Sequence, residues 1–222
     1  MRQALGPPAA KAVHTVMAAA LRLRPATFEF AGRRLRYFAH PYNETWRNER
    51  AVEIPIALQV LDEHRGRRVL EVGNVLAHYG RRGHDVVDKY EQAAGVRNLD
   101  ILDLEPGEHY DLVLTVSTLE HVGFDEDERD PEKPRAAVER MAGVLAPGGT
   151  LLVTVPLGYN DALDRDLRSG RIPFDELRFL KRVSRGNRWQ EVPSAAAAGI
   201  AYGAPYPWAN GVAVGIRRAR ST

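Results

Sequence analysis

Residues 69–76, with the sequence VLEVGNVL, decide the fold of this chain. Five of these eight residues are valine or leucine, and such a short, β-branched run is typical of a strand buried on both faces of a parallel sheet. Gly73 follows the run, where a glycine permits a tight turn and lets a ligand approach the backbone. In open α/β sheets, ligands bind beyond the carboxyl ends of the strands. Taken alone, the stretch is equally compatible with a core strand that ends in an ordinary turn.

Further apolar runs follow at intervals that suit strands alternating with helices. Strands are predicted at residues 85–88, 99–103, 111–117 and 150–156, and a helix at residues 133–145 that stops at the turn Pro147-Gly148-Gly149. Two later runs, residues 179–183 and 212–216, are predicted to pair as an antiparallel hairpin at one sheet edge. The pattern predicts an α/β fold with a Rossmann-like parallel sheet and a terminal antiparallel strand pair.

The first part of the chain has a different sequence pattern. An alanine-rich helix is predicted at residues 9–23, a hairpin at residues 27–37, and a helix with Ile54, Ala57, Leu58 and Leu61 on one face. Pro55 should bend that helix or mark its first turn. We therefore expect residues 1–66 to form an N-terminal appendage.

Composition excludes several classes of function. The chain has no cysteine, which rules out disulfides, thiolate metal sites and cysteine nucleophiles. The 31 basic residues are spread among 29 acidic ones, giving a net charge of +2, so no nucleic-acid groove is predicted. No apolar run approaches the roughly 20 residues of a membrane span, and a cytoplasmic protein without membrane contact is expected. No His, Asp and Glu spacing indicates a metal site, and the acids of residues 125–130 are interpreted as a solvated loop.

The order of these motifs resembles that of the class I S-adenosylmethionine-dependent methyltransferases of the small-molecule type, across residues 67–216. VLEVG at residues 69–73 resembles the first motif of the family, and Asp88 resembles the acid that ends its second strand. Asp100-Ile101 resembles the acidic dipeptide after the third strand. YDLVLTVSTLEHV at residues 110–122 and LAPGGTLLVTVP at residues 145–156 resemble the fourth-strand motif and the turn into strand five. The resemblance implies a methyltransferase-like domain at residues 67–222, with residues 1–66 as appendage and lid.

The resemblance also implies a cofactor, S-adenosylmethionine, and the residues that would bind it. Gly73 would give backbone access to the methionine part, and Glu71 would orient the loop or meet the amino group. Asp88 would accept the ribose hydroxyls, while Asp100 and the Ile101 amide would meet the adenine. Asn74 and Ser117 complete the predicted contacts.

The loop after the first strand departs from the family pattern. Where the family has two or three glycines, Gly73 is followed by Asn74, and the next glycine is Gly80. Either Asn74 makes a polar contact in place of a backbone amide, or the loop has moved away from the ligand.

His121 is the candidate general base, because it follows the fourth strand at the edge where an acceptor would meet the methyl group. An imidazole can remove a proton from a hydroxyl or an amine near neutral pH. The alternative is that His121 only packs against the next segment. Substrate contacts are predicted at Trp46, Arg47, Tyr159, Asn160 and Trp208, although Trp46 is also compatible with a purely structural cap.

The sequence thus predicts O-methylation of a small molecule, such as a sugar, a polysaccharide precursor or a specialised metabolite, by a possible homo-oligomer. Two alternatives are a related protein that binds the cofactor or a nucleotide without methyl transfer, and a dinucleotide-dependent oxidoreductase. The absence of G-x-G-x-x-G from the first βα turn disfavours the latter.

Overall fold

A computed structural model describes residues 26–105 and 109–220 of the chain. Its strands are β1 (Thr27–Phe30), β2 (Arg33–Arg36), β3 (Val69–Val72), β4 (Asp85–Val87), β5 (Val96–Arg97), β6 (Tyr110–Val116), β7 (Leu145–Pro156), β8 (Glu176–Arg182), β9 (Trp189–Val192) and β10 (Gly211–Arg218). Its α-helices are α1 (Arg50–Glu63), α2 (Lys133–Gly143), α3 (Asp161–Ser169) and α4 (Ser194–Ala197). The helix predicted at residues 9–23 lies outside the described residues. Within them, no helix is long and apolar enough to cross a membrane.

An eight-stranded sheet has the order β5-β4-β3-β6-β7-β10-β8-β9. The first five of these strands are parallel, and β10 runs antiparallel to both β7 and β8. The predicted Rossmann-like parallel sheet with antiparallel strands at one end is confirmed. The two late strands predicted to pair do so antiparallel, as β8 and β10. They do not form the sheet edge, because β10 lies between β7 and β8. The edge hairpin is instead β8 with β9, a strand that was not predicted.

Two local predictions shift by a few residues. The third parallel strand is β5 and not residues 99–103, because the Asp100 carboxylate accepts a hydrogen bond from the Leu102 N–H and starts a 3₁₀ turn. The Pro147-Gly148-Gly149 turn lies inside β7. Pairing with β6 jumps there from Tyr110–Leu145 to Leu112–Thr150, so the turn bulges out of the strand.

Side chains of the sheet alternate between two buried layers, as expected for a sheet covered on both faces. One layer holds Val113, Leu151 and Val153 with the apolar side of α2. The other holds Leu112 and Leu114 with the buried side chains of α1 and of the β1–β2 hairpin. Residues of the hairpin and of α1 therefore cover one face of the sheet.

Pro55 lies in the second turn of α1, since the helix begins at Arg50. A proline there leaves the carbonyl four residues earlier without its helical donor. That carbonyl, on Ala51, accepts a hydrogen bond from the Phe38 N–H at 2.9 Å. The proline thus creates an acceptor that ties the segment after β2 to the helix.

Candidate cofactor and acceptor site

A cavity of about 450 Å³ opens at the carboxyl ends of β3, β4 and β6. This is the edge where α/β sheets bind ligands, and the volume lies within the range of small-molecule sites. Of the predicted site residues, the cavity wall includes Gly73, Asp88, Asp100, Ile101 and His121. The remaining predicted residues lie behind this wall or elsewhere.

Gly73 permits a close approach of two strand ends. Its φ of +87° lies in the left-handed region, and a Cβ at this position would come within 2.2 Å of the Thr118 Oγ1. Thr118 follows β6 and also lines the cavity. The glycine is therefore required by contact between the β3 loop and the end of β6, in addition to any role in ligand access.

Glu71 is buried and organises the loop after β3. Its Oε1 accepts hydrogen bonds from the N–H groups of Val75 and Leu76, at 2.9 and 2.7 Å. Its Oε2 lies 2.7 Å from the Nε2 of His84. Of the two roles predicted for Glu71, this geometry corresponds to loop orientation.

Asp88 follows β4, and its carboxylate accepts hydrogen bonds from backbone N–H groups. Oδ1 accepts from the N–H groups of Tyr90 and Glu91 at 2.8 and 2.7 Å, and Oδ2 accepts from the Asn74 N–H at 3.2 Å. The Asn74 side chain donates through Nδ2 to the Glu91 Oε1 at 2.8 Å. Asn74 thus joins the β3 loop to both acids after β4, and Glu91 is a cavity-lining residue that the sequence did not reveal.

Asp100 belongs to a ring of four alternating charges at the cavity. Lys133 and Lys89 contact its Oδ2 at 2.6 and 2.9 Å, and both lysines also contact the Oε2 of Glu126. Partial burial disfavours the charged form of Asp100, but the hydrogen bonds from Lys133 and Lys89 prevail and lower its pKa to about 2. Any ligand group that reaches this carboxylate must share it with the lysines.

Part of the remaining wall is apolar. Its side chains are those of Val72, Val87, Leu99, Ile101 and Val122. A flat aromatic ring could be enclosed here, while the carboxylates of Asp88 and Glu91 stand at one side to receive hydroxyl groups.

His121 lies at the cavity wall between two acids. Its Nδ1 is 2.5 Å from the Asp125 Oδ2, and its Nε2 is 3.5 Å from the Glu120 Oε1. Tyr159 donates its hydroxyl to the same Asp125 oxygen at 2.7 Å, and its ring stands edge-on to the imidazole. Burial, followed by this bond to Asp125, raises the pKa of the Tyr159 hydroxyl. Asp125 therefore orients both side chains.

Glu120 is buried, with 2% of its surface exposed, and its Oε2 has no hydrogen-bond partner within the described part of the chain. Burial, with the nearby Glu53 carboxyl as the second cause, raises the pKa of Glu120 well above its usual range. A carboxyl group in such surroundings favours its neutral form, which can donate a proton.

Glu53, on α1, is a second buried acid, and it anchors the ends of β6 and β7. It accepts hydrogen bonds from the hydroxyls of Ser117 (2.8 Å) and Thr154 (2.9 Å). The neighbouring Arg50 donates to the Val116 carbonyl at 2.9 Å. The predicted cofactor residue Ser117, with a φ of 39°, thus directs its hydroxyl to Glu53. Glu53 was not predicted from the sequence, although its spacing of four from Ala57 places it on the buried side of α1.

The predicted substrate residues are dispersed. Asn160 is buried, caps α3 through a bond from the Leu163 N–H and donates to the Glu120 carbonyl. Arg47 lies over the Trp208 ring, 5.0 Å from its centroid. Trp46 lines a separate cavity of about 110 Å³ beside Asn187. Tyr159 contacts His121 of the main cavity through its ring. Between residues 26 and 220, the gap at 106–108 aside, no group of three His, Asp or Glu side chains could hold a metal ion.

No protein-family model matches the chain, and no curated protein matches it. Among solved structures, it is similar to the N-methyltransferase NodS from Bradyrhizobium japonicum WM9 in complex with S-adenosyl-L-homocysteine. That match is 14% identical, covers 73% of this chain and 84% of that chain, and has a TM-score of 0.44. A SAM-dependent methyltransferase from Archaeoglobus fulgidus is 13% identical, with coverages of 80% and 97% and a TM-score of 0.47. The sugar N-methyltransferase KedS8 from Streptoalloteichus sp ATCC 53650 is 17% identical, with coverages of 76% and 87% and a TM-score of 0.36.

Proposed function

We propose that this protein is an S-adenosylmethionine-dependent methyltransferase that acts on a small molecule. The observation that carries the proposal is the cavity wall. Gly73, Asp88, Asp100 and Ile101, selected from the sequence as cofactor residues, line one cavity together with His121. They follow four different strands, β3, β4, β5 and β6, so their convergence depends on the fold and not on their proximity in sequence.

The residues present fit the parts of this cofactor. The apolar wall around Ile101 suits an adenine ring, and the acids after β4 suit ribose hydroxyls. The loop at Gly73 leaves room for the methionine part. When bound, the cofactor supplies an activated methyl group with its own leaving group, so the protein has to bind, orient and exclude water.

The acceptor is proposed to be a hydroxyl group of a sugar, a polysaccharide precursor or a specialised metabolite. His121 would remove its proton through Nε2, because Nδ1 faces the Asp125 carboxylate. Asp125 would hold the imidazole in that orientation. Tyr159, on the same carboxylate, would border the acceptor.

Calorimetry tests the proposal directly. We expect S-adenosylmethionine and S-adenosylhomocysteine to bind with one site per chain, and NAD not to bind. Gly73→Ala, whose Cβ would clash with Thr118, serves as the variant with an impaired site, provided that its folding is verified by circular dichroism. Binding of NAD in preference to both sulfur compounds would contradict the proposal.

A second function, binding of the cofactor or a nucleotide without methyl transfer, is favoured by one observation. The carboxylates of Asp88 and Asp100 already have protein partners in this structure. Release of S-adenosylhomocysteine when hydroxyl acceptors are added to protein and S-adenosylmethionine separates the two functions.

A further inference from the structure

Asp88 holds the position from which the ribose would be bound, yet its carboxylate is committed to the backbone. Three N–H groups, from Asn74, Tyr90 and Glu91, donate to its two oxygens. An ionised carboxylate offers about four lone-pair sites. Three bonds from N–H groups therefore leave Asp88 with about one site, whereas a ribose presents two adjacent hydroxyls.

These bonds build the turn that presents Glu91. Asp88 stands at the start of the turn, and Asn98 closes it by donating through Nδ2 to the carbonyls of both Asp88 and Glu91, at 3.0 and 2.8 Å. Glu91 lies three residues beyond Asp88, lines the same cavity, and keeps 37% of its side-chain surface exposed.

The Glu91 carboxylate is also held by side chains of the loop that follows β3. Its Oε1 accepts from the Asn74 Nδ2 at 2.8 Å, and the His78 Nε2 lies 3.2 Å from Oε1 and 3.3 Å from Oε2. The carboxylate thus lies between the β3 loop and the end of β4. Oε2 has only the His78 contact among the described residues, so it retains acceptor capacity.

Asn74 explains why this arrangement differs from a glycine-rich loop. A glycine at position 74 would keep the backbone bond to Asp88 and lose the side-chain bond to Glu91. The asparagine therefore has a specific partner, and that partner is the second acid.

We propose that Glu91 is the residue that binds the ribose hydroxyls of the nucleoside, and that Asp88 is a positioning residue that shapes the turn beneath it. This inference rests on the proposed function, because it assigns a residue to the ribose of the same cofactor. Charge-assisted hydrogen bonds from the ribose hydroxyls to the Glu91 carboxylate would make the site prefer a ribonucleoside over a deoxynucleoside.

The test is calorimetry with S-adenosylhomocysteine and with its analogues that lack the 2′- or the 3′-hydroxyl. Wild-type protein should lose about tenfold to a hundredfold in affinity when a hydroxyl is removed, the range for hydrogen bonds to charged groups. Glu91→Gln should bind S-adenosylhomocysteine more weakly by a similar factor and discriminate less than threefold between it and the deoxy analogues.

Three further variants complete the design. Glu91→Asp withdraws the carboxylate by one methylene and should lose discrimination in the same way, even if Glu91→Gln folds poorly. Asp88→Asn should lower the melting temperature but keep the discrimination. Glu128→Gln, which changes an exposed acid outside the cavity wall, should also keep it.

Each outcome decides between the ideas. The assignment of Glu91 would be overturned if both Glu91 variants still distinguished S-adenosylhomocysteine from its deoxy analogues as well as wild type does. It would also be overturned if only Asp88→Asn lost this discrimination. Either result would leave cofactor binding itself intact. Failure of the wild-type protein to bind S-adenosylhomocysteine would overturn the proposed function, and the ribose assignment with it.

Discussion

At the residue scale, His121 faces carboxyl groups through both ring nitrogens, and the two neighbours differ in character. Asp125 is an exposed acid for which burial is outweighed by hydrogen bonds from His121 and Tyr159, so its pKa is lowered and it stays ionised. Glu120 is buried and favours its neutral form. The Nδ1–H therefore belongs with Asp125, and Nε2 keeps the lone pair that a general base needs.

This arrangement predicts that His121→Ala lowers kcat by a factor of about 10² to 10⁴, the usual contribution of general acid–base catalysis. Affinity for S-adenosylhomocysteine should change less than threefold, because the imidazole acts on the acceptor. The measurement is product release with the best hydroxyl acceptor, with the exposed His109→Ala as control. Turnover within threefold of wild type would leave His121 as a packing residue.

Glu120 predicts an unusual dependence of stability on pH. The pKa of its carboxyl is raised in the folded state. The stabilisation of the fold that comes from this raised pKa is therefore fully present below the unfolded-state pKa of about 4.3. It is lost as the pH rises through the folded-state pKa. Glu120→Gln keeps the neutral shape and removes the ionisation. It should therefore match wild type at about pH 4, below the unfolded pKa, and become more stable than wild type towards pH 9.

The expected gain at high pH is about 1.4 kcal/mol for each unit by which the folded-state pKa of Glu120 exceeds its unfolded-state value, or roughly 3–5 °C in melting temperature per unit for a domain of this size. Thermal melts across this pH range measure it, with the exposed Glu128→Gln as the matched control. A constant difference between Glu120→Gln and wild type at all pH values would show that ionisation of Glu120 does not limit stability.

The site residues divide according to whether a local pattern reveals them. Gly73 and Asp88 were predicted because each ends an apolar strand, and the ends of parallel strands meet at one sheet edge. Glu53 was not, because it enters the site only when α1 packs across β6 and β7. Glu91 was not, because its place depends on a turn held by side chains that lie up to 17 residues apart.

At the element scale, the loop after β3 is held by one buried carboxylate. Glu71→Ala would leave two backbone N–H groups and the nearly buried His84 without their partner. We expect a loss of about 3–5 kcal/mol, the cost of breaking a buried pair. Affinity for S-adenosylhomocysteine should fall as well, since the loop forms part of the cavity wall.

Urea unfolding measures this loss, and two variants bracket it. Glu71→Gln retains a carbonyl oxygen for the loop and should lose less. Glu63→Ala removes an acid whose ion pair with Arg33 is exposed, so its effect should stay below about 1 kcal/mol. An unchanged urea midpoint in Glu71→Ala would show that the loop does not depend on this carboxylate.

Strand prediction succeeded where burial on both faces produced an unbroken apolar run, as in β3, β6 and β7. It failed at the margins of the sheet. β5 has two residues and too little sequence to show a period, while β9 mixes Trp189 with the polar residues of an edge strand. The insertion of β10 between β7 and β8 could not be predicted, because strand order depends on non-local pairing.

At the scale of the whole molecule, residues 26–66 belong to the same core as the sheet. Val52, Ile54, Ile56 and Ala57 of α1 are each at most 2% exposed and pack with Leu112 and Leu114. The hairpin extends this layer, since the Tyr37 hydroxyl accepts a hydrogen bond from the Trp189 N–H at 2.7 Å. A domain boundary at residue 66, as predicted from the sequence, would expose one face of the sheet.

This packing predicts that a chain beginning at residue 67 does not fold. Burial of a large apolar side chain contributes about 1.5–3 kcal/mol, so the loss of several from α1 is comparable with the 5–15 kcal/mol by which domains are stable. The shortened chain should lack a cooperative melting transition and should not bind S-adenosylhomocysteine. Within the full-length chain, Ile56→Ala should cost about 2–5 kcal/mol, whereas the partly exposed Leu58→Ala should cost less. If residues 67–222 melt cooperatively and bind the ligand, then residues 1–66 are a separable lid, and the shared core contributes little to stability.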